Sequence, residues 1–249
     1  MLKALLFDID GTLADTERDG HRVAFNAAFR DFGLDWDWDA ALYGKLLAVT
    51  GGKERMRHYV DRFRPDYIKP VDFDDLVVEL HKIKTGHYTR LLAAGGIPLR
   101  PGVKRLIDEV RQAGLTLAIA TTTTPENVTA LLRHSLAPDS PDWFAVIAAG
   151  DIVPAKKPAP DIYRWALDRL GLKAAACVAF EDSRNGLLSA QGAGLKTVVT
   201  VNDYTRDDDF AGAVAVLSDL GEPDALYRRL DREEAGVVDL ARLNDWLQA

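Results

Sequence analysis

The chain has 249 residues, of which 47% are hydrophobic, enough for one large core or for a core with a smaller module beside it. Its formal net charge is −7, so no overall basic field attracts nucleic acid, and an anionic ligand must be held by local positive charge. No apolar run approaches the ~20 residues of a membrane span, and the amino terminus lacks the pattern of a signal peptide, so we expect a cytoplasmic protein without nucleic-acid or membrane partners. We also expect a monomer.

The first predicted element is an apolar strand that leads directly into Asp8-Ile9-Asp10-Gly11-Thr12. Residues i and i+2 of an extended chain point the same way, so Asp8 and Asp10 should face one site where the strand ends. Two adjacent carboxylates repel each other, and a cation between them relieves that repulsion. Gly11 allows the backbone to turn closely past a ligand. The pattern therefore indicates a functional site with a bound cation at this strand end.

The next part of the chain has apolar residues at helical spacing, interrupted by glycine and proline pairs. We predict a helical cap domain over residues 15–94, inserted after the first strand. The insert joins the core at two crossings, near Ala14-Asp15 and near Gly95-Gly96. The core domain then consists of residues 1–14 and residues 95–249.

In the second core segment, short apolar runs alternate with helical patterns. We predict strands at residues 115–120, 144–148, 177–180 and 197–201, and helices at residues 127–136, 160–170, 186–193 and 237–247. This alternation predicts an α/β fold, with a Rossmann-like parallel sheet covered on both faces and an inserted helical cap. Ligands of such sheets bind beyond the carboxyl ends of the strands, where Asp8, Thr121 and Glu181-Asp182 are expected. The single cysteine, Cys177, lies in an apolar run and should be a buried, unreactive thiol.

The first motif resembles that of the haloacid dehalogenase superfamily, whose members are mostly Mg²⁺-dependent phosphatases and mutases. The resemblance implies three further motifs: a Ser or Thr at the end of a second strand, a Lys-Pro pair, and a late acidic pair at another strand end. Thr121, Lys157-Pro158 and Glu181-Asp182-Ser183 occur in this order. The superfamily fold, a Rossmann-like core with an inserted cap, agrees with the predicted elements.

The resemblance also assigns roles to the acidic residues. Asp8 would be the nucleophile that forms an aspartyl-phosphate. Asp10 would be the general acid and base, with its backbone carbonyl facing the metal. Mg²⁺ would be the cofactor, and its ligands would come from Asp8, Asp10 and Asp182. Glu181 would either join the metal ligands or hydrogen-bond a metal-bound water.

A second set of residues would hold the phosphate group. Thr121 occupies the place of the superfamily's phosphate-binding Ser or Thr, with Thr122 as the next choice. The position is ambiguous because residues 121–124 are four successive threonines, some of which can start a helix. Gly11 and Lys157 complete this set, and the Lys157 ammonium would offset the charge between the phosphate and Asp8.

Selectivity should come from the inserted helices, which can close over the site and exclude water. Two of their segments, residues 51–57 and 81–85, are locally basic. A glycine pair that opens into a helix with Lys and Arg suits an anion, although such faces are often only solvated surface. The candidate substrate-binding residues are Glu17, His21, Gly52, Lys53, Arg55 and Lys84.

Within the superfamily, the chain resembles the CbbY family from its start to Thr205. The segments that carry the resemblance are residues 15–22, 50–56, 99–102 and 153–158. The resemblance implies a phosphatase that hydrolyses xylulose 1,5-bisphosphate, an inhibitor of Rubisco, to xylulose 5-phosphate in organisms that run the Calvin cycle.

Two other kinds of function are compatible with the same core motifs. Phosphoglycolate phosphatases and β-phosphoglucomutases share all four motifs with this chain. A regulator that binds a phosphorylated ligand without turnover is the non-enzymatic alternative. The simultaneous presence of Asp8, Asp10 and Asp182 argues against that alternative, because a binding module needs no nucleophile.

Overall fold

The computed structural model describes residues 1–95 and 97–248. Its main sheet consists of β1 (Ala4–Phe7), β2 (Thr116–Ala120), β3 (Val146–Ala148), β4 (Cys177–Glu181), β5 (Lys196–Thr200) and β6 (Ala215–Leu217). The six strands are parallel, in the order β3-β2-β1-β4-β5-β6. The predicted α/β class with a parallel core is therefore confirmed.

β1 is a central strand because both of its faces are apolar. Its side chains are fully buried and alternate between two hydrophobic clusters: Leu5 and Phe7 belong to one, Ala4 and Leu6 to the other. Helices cover both faces of the sheet, as expected for parallel strands that are apolar throughout. The polar residues that follow β1 therefore emerge at the carboxyl edge of the sheet.

Four helices lie between β1 and β2, namely α1 (Arg22–Asp31), α2 (Ala40–Leu46), α3 (Gly52–Phe63) and α4 (Phe73–Ala93). A π-helical turn, Glu17–His21, precedes α1. These helices bury a hydrophobic cluster of their own, in which Trp36 and Trp38 pack edge-on against Phe29. The domain boundaries at residues 15 and 95 stay predictions. Gly96 and Ala249, both inside the predicted core segment, lie outside the described residues.

The rest of the chain forms α5 (Val103–Gln112), α6 (Pro125–Leu131), α7 (Asp161–Leu170), α8 (Arg184–Gly192), α9 (Leu240–Gln248) and a hairpin of β7 (Tyr227–Arg228) and β8 (Ala235–Gly236). The predicted helix at 127–136 is α6 followed by a π-helical turn, Leu132–Leu136. Sequence patterns missed α2, β6 and the hairpin, because each of these helices and strands has seven residues or fewer, too few for a repeating pattern to be distinguished. No helix within the described ranges is long and apolar enough to cross a membrane. The cytoplasmic location and the monomeric state stay predictions.

The two connections between the sheet and the inserted helices run side by side. Ala14 and Leu99 form an isolated antiparallel bridge, and the backbone N–H of Arg100 donates to the carbonyl of Leu13 at 2.9 Å. Both connections therefore leave the sheet at its carboxyl edge, next to the residues that follow β1.

Candidate active site

The carboxyl ends of β1, β2 and β4 bring the predicted core motifs together. β1 pairs in parallel with both other strands, so Asp8, Thr121 and Glu181 end neighbouring strands at one edge. Lys157 reaches the same place from the segment between β3 and α7. One small cavity of about 90 Å³, here called the reaction cavity, is lined by all of these residues and by Asp10, Asp182, Glu17 and Arg55.

Lys157 lies between two buried carboxylates. Its Nζ donates to Oδ1 of Asp8 at 2.7 Å and to Oε1 of Glu181 at 2.6 Å. Burial raises the pKa of Asp8, and the Lys157 ammonium opposes that rise. Burial also raises the pKa of Glu181, to about 7, against the same ammonium. Burial alone would lower the pKa of Lys157, but the two carboxylates raise it, so the amine stays protonated at neutral pH.

Three carboxylates meet in a geometry that suits a divalent cation. Asp8, Glu181 and Asp182 each offer an oxygen, and these atoms lie within 4.8 Å of one another. Burial, and then the charges of Asp8 and Glu181, raise the pKa of Asp182. Such crowding of buried oxygen donors is relieved by a hard cation, and Mg²⁺ prefers these ligands. Three of the four predicted metal residues, Asp8, Glu181 and Asp182, therefore have carboxylates that fit Mg²⁺.

The Asp10 carboxylate turns away from these three and toward the inserted helices. Its Oδ1 accepts a hydrogen bond from the Thr16 hydroxyl and lies 2.8 Å from Nε2 of His21. Burial would raise the pKa of Asp10, but His21, Thr16 and the Lys84 charge together lower it to about 2. The prediction that Asp8 and Asp10 face one site agrees with their shared cavity. Their carboxylates nevertheless have different partners, so the Asp10 side chain is not one of the clustered metal donors.

A buried charged network continues from Asp10 into the inserted helices. Nδ1 of His21 lies 2.8 Å from Nζ of Lys84, whose pKa is lowered by burial to about 8. Arg55 is also buried, and its Nη1 donates to the hydroxyl of Tyr43 at 2.7 Å. That hydroxyl donates to Glu17. Four predicted substrate-binding residues, Glu17, His21, Arg55 and Lys84, therefore line one continuous region above Asp10.

Lys53 lies outside that region. Its ammonium pairs with Asp151, an acidic residue of the loop after β3, and it lines a separate cavity of about 390 Å³. Gly52 lies between the two cavities, and a Cβ there would approach Nε2 of His81 at 2.6 Å. We predicted that Gly52, Lys53 and Arg55 bind the substrate together. The structure instead places Lys53 and Arg55 in different cavities.

The predicted phosphate-binding residues lie close to Asp8 or to the acidic cluster. Thr121 and Thr122 both line the reaction cavity, so the choice between them stays a prediction. The Thr121 hydroxyl accepts a hydrogen bond from the N–H of Thr123 at 3.4 Å. Gly11 has a φ of +85°, and a Cβ there would lie 2.2 Å from Oδ2 of Asp182. The turn after Asp10 therefore runs directly against the acidic cluster.

Sequence reasoning missed three polar residues that contact the site. The hydroxyl of Tyr163 donates to Glu181, and Nδ2 of Asn202 donates to Oδ2 of Asp182 at 2.7 Å. Asn185 at the start of α8 donates to the Thr50 hydroxyl at 3.2 Å and so links the acidic motif to the inserted helices. Tyr163 lies on the apolar face of α7, and nothing in the sequence around it indicates that it contacts the site. Two signals were available in the sequence: Asn185 lies close to the acidic motif, and Asn202 directly follows the predicted strand at residues 197–201.

The chain is similar to known proteins in both sequence and fold. Residues 2–194 match the family model of haloacid dehalogenase-like hydrolases. The chain is 49% identical to the CbbY protein of Cupriavidus necator, over 98% of this chain and 96% of that one. A solved structure of a CbbY mutant from Rhodobacter sphaeroides, in complex with xylulose 1,5-bisphosphate, superposes with a TM-score of 0.81 at 46% identity and covers 88% of this chain and 95% of that one. The phosphorylated carbohydrates phosphatase of Thermotoga maritima is 28% identical over 87% of this chain and 94% of its own length.

Proposed function

The chain belongs to the haloacid dehalogenase-like hydrolases and, among them, to the CbbY family, and we propose that this phosphatase hydrolyses xylulose 1,5-bisphosphate to xylulose 5-phosphate with Mg²⁺ as its cofactor. The observation that carries the proposal is the meeting of Asp8, Lys157 and the acidic pair Glu181-Asp182 in one buried cavity. Phosphoryl transfer needs a nucleophile, neutralised charge and a proton donor for the leaving oxygen, and this cavity contains groups for each.

Asp8 is the proposed nucleophile. A carboxylate attacks phosphorus only when it is ionised, and burial alone works against ionisation. Lys157, whose Nζ donates to Oδ1 of Asp8 at 2.7 Å, favours the ionised form. Mg²⁺ bound by Asp8, Asp182 and Glu181 would neutralise charge on the transferring phosphoryl group. The attack breaks the phosphorus–oxygen bond of the ester and leaves an aspartyl-phosphate on Asp8.

Asp10 is the proposed general acid and base. In the first step it would donate a proton to the leaving alkoxide, and in the second it would accept a proton from the attacking water. Without substrate, His21 and Thr16 hold Asp10 in its ionised form, which is the form required for the second step. Arrival of an anionic phosphate next to Asp10 raises the pKa of its carboxyl and favours the protonated form needed for the first step.

The second phosphate of the substrate is proposed to bind near Arg55 and Lys84. Both cations are buried and line the region above Asp10. A buried cation is costly unless it is paired, and a phosphate there would complete the pairing that Glu17 begins at 3.7 Å from Arg55. Phosphoglycolate offers these cations only a carboxylate, and β-glucose 1-phosphate offers them no second anion.

A phosphate-release assay tests the substrate proposal. We expect xylulose 1,5-bisphosphate to give a kcat/KM at least about tenfold above phosphoglycolate and β-glucose 1-phosphate, since a charge-assisted contact contributes ~1.5–3 kcal/mol. Asp8→Asn should retain the fold and lose turnover on every substrate. A higher kcat/KM for phosphoglycolate, or phosphate migration on a glucose phosphate in place of release, would favour the corresponding alternative enzyme. Phosphate binding without release from any substrate would favour the regulator.

Two substitutions in the same helix test the proposed second-phosphate site. Arg55→Lys keeps the charge but loses the planar donors, and it should lower kcat/KM for the bisphosphate roughly ten- to a hundredfold while largely sparing p-nitrophenyl phosphate. Lys53→Ala is the matched control, because Lys53 lies in the other cavity and pairs with Asp151. Equal losses on both substrates for Arg55→Lys, or a larger bisphosphate-specific loss for Lys53→Ala, would contradict this placement.

A further inference from the structure

Arg100 is a buried arginine whose guanidinium is surrounded by backbone carbonyls at the carboxyl edge of the sheet. Its Nη1 donates to the carbonyl of Thr200 at 3.0 Å and also to that of Gly11. Its Nη2 donates to the carbonyl of Ser218 at 2.9 Å and also to that of Val201. These acceptors belong to the turn after Asp10 and to the ends of β5 and β6. One side chain therefore ties together three segments that are far apart in sequence.

Two of these segments touch the acidic cluster directly. Gly11 follows Asp10, and a Cβ on Gly11 would approach Oδ2 of Asp182 at 2.2 Å. Val201 precedes Asn202, whose Nδ2 donates to the same Oδ2 of Asp182 at 2.7 Å. A small movement of either segment therefore changes the space or the hydrogen bond at Asp182.

Arginine is suited to this position and lysine is not. A guanidinium carries five N–H donors in a rigid plane, so it can satisfy several carbonyls at fixed angles. A lysine ammonium has three donors on a flexible stem and would leave some of these buried carbonyls unpaired. The nearby carboxylate of Asp15, 3.4 Å from Nε, is largely exposed and does not replace these contacts.

We propose that Arg100 is a positioning residue for the metal site: it holds Gly11 and the segment of Asn202 in place, and through Asn202 it orients the carboxylate of Asp182. Arg100 does not line the reaction cavity. Its charge also opposes the rise in the pKa of Asp182, and Arg100→Lys keeps that charge while removing the fixed contacts to the carbonyls. The inference rests on the proposed Mg²⁺ site. Partners that orient a metal ligand typically change metal affinity by about 10–100-fold when they are lost.

Calorimetric titration of the protein with Mg²⁺, without substrate, tests the proposal. Arg100→Lys should weaken Mg²⁺ binding about tenfold relative to the wild type. The matched control is Arg105→Lys, because Nη2 of Arg105 also donates to three carbonyls, those of Leu220, Gly221 and Val238, at 3.0–3.2 Å. None of those three residues lines the reaction cavity. Arg105→Lys should therefore lower thermal stability and leave Mg²⁺ affinity within about twofold of the wild type.

A double substitution separates positioning from general stability. Asn202→Ala removes the hydrogen bond through which Arg100 is proposed to orient Asp182, so Arg100→Lys should weaken Mg²⁺ binding less in that background than in the wild type. Additive losses in the double variant would overturn the proposal. So would equal Mg²⁺ affinities of Arg100→Lys and the wild type, or an Arg100→Lys variant that is unfolded even in the cold. A wild-type protein that binds no Mg²⁺ would instead overturn the proposed function.

Discussion

Gly11→Ala should inactivate the enzyme, because the added methyl group has no room beside the acidic cluster. A Cβ at this position would lie 2.2 Å from Oδ2 of Asp182 and 2.7 Å from Nδ2 of Asn202. Non-bonded heavy atoms normally stay about 3.5 Å apart, so Asp182 or the turn must move by roughly 1 Å. A misplacement of that size in a catalytic site can cost about a hundredfold in rate.

The substitution also has a cost that is unrelated to the site. Gly11 has a φ of +85°, and a residue with a Cβ loses roughly 1–2 kcal/mol in that left-handed conformation. Gly114→Ala isolates this cost, because Gly114 has a φ of +68° and its Cβ would meet no heavy atom within 4 Å. Both variants should therefore lose stability through backbone strain, and only Gly11→Ala should also displace Asp182.

The assay pairs unfolding with turnover. Urea unfolding measures the free energy of unfolding, and p-nitrophenyl phosphate hydrolysis at saturating Mg²⁺ measures kcat/KM. We expect Gly114→Ala to lose about 1 kcal/mol and keep its activity, and Gly11→Ala to lose at least as much stability and about a hundredfold in kcat/KM. A Gly11→Ala protein with wild-type kcat/KM, or equal activity losses in the two variants, would refute the reasoning.

Three further predictions concern ionisation and metal. Burial lowers the pKa of Lys84 from 10.5 to about 8, so between those values the unfolded chain binds more protons and the free energy of unfolding should rise with pH. This rise should be absent when urea unfolding of Lys84→Met is measured over the same pH range. An equal change of unfolding free energy with pH in the wild type and the variant would contradict the prediction. Burial raises the pKa of Cys177 to about 11, so Ellman's reagent should label the native thiol at least about a hundredfold more slowly than the unfolded one. EDTA should abolish phosphate release, and added Mg²⁺ should restore it. Ca²⁺ should inhibit the reaction, because Ca²⁺ prefers looser and larger coordination than Mg²⁺. Full activity in EDTA would exclude the metal role.

The sequence by itself determined the fold class and the place of the site. Apolar runs alternating with helical patterns are local properties, and they require a parallel sheet with both faces covered. In such a sheet the residues after β1, β2 and β4 must meet at one edge, so Asp8, Thr121 and Glu181-Asp182 could be grouped before any contact was known. The burial of Cys177 followed in the same way from its apolar neighbours.

Only the tertiary structure decided which partner each polar side chain has. The i, i+2 rule for Asp8 and Asp10 holds while the strand continues, but β1 ends at Phe7, and the Asp10 carboxylate turns to His21. Arg55 and Lys53, two residues apart on α3, enter different cavities because helical geometry points their side chains about 200° apart. Arg100 contacts carbonyls 89 to 118 residues away. Such contacts depend on how distant segments pack, and no local period in the sequence encodes that packing.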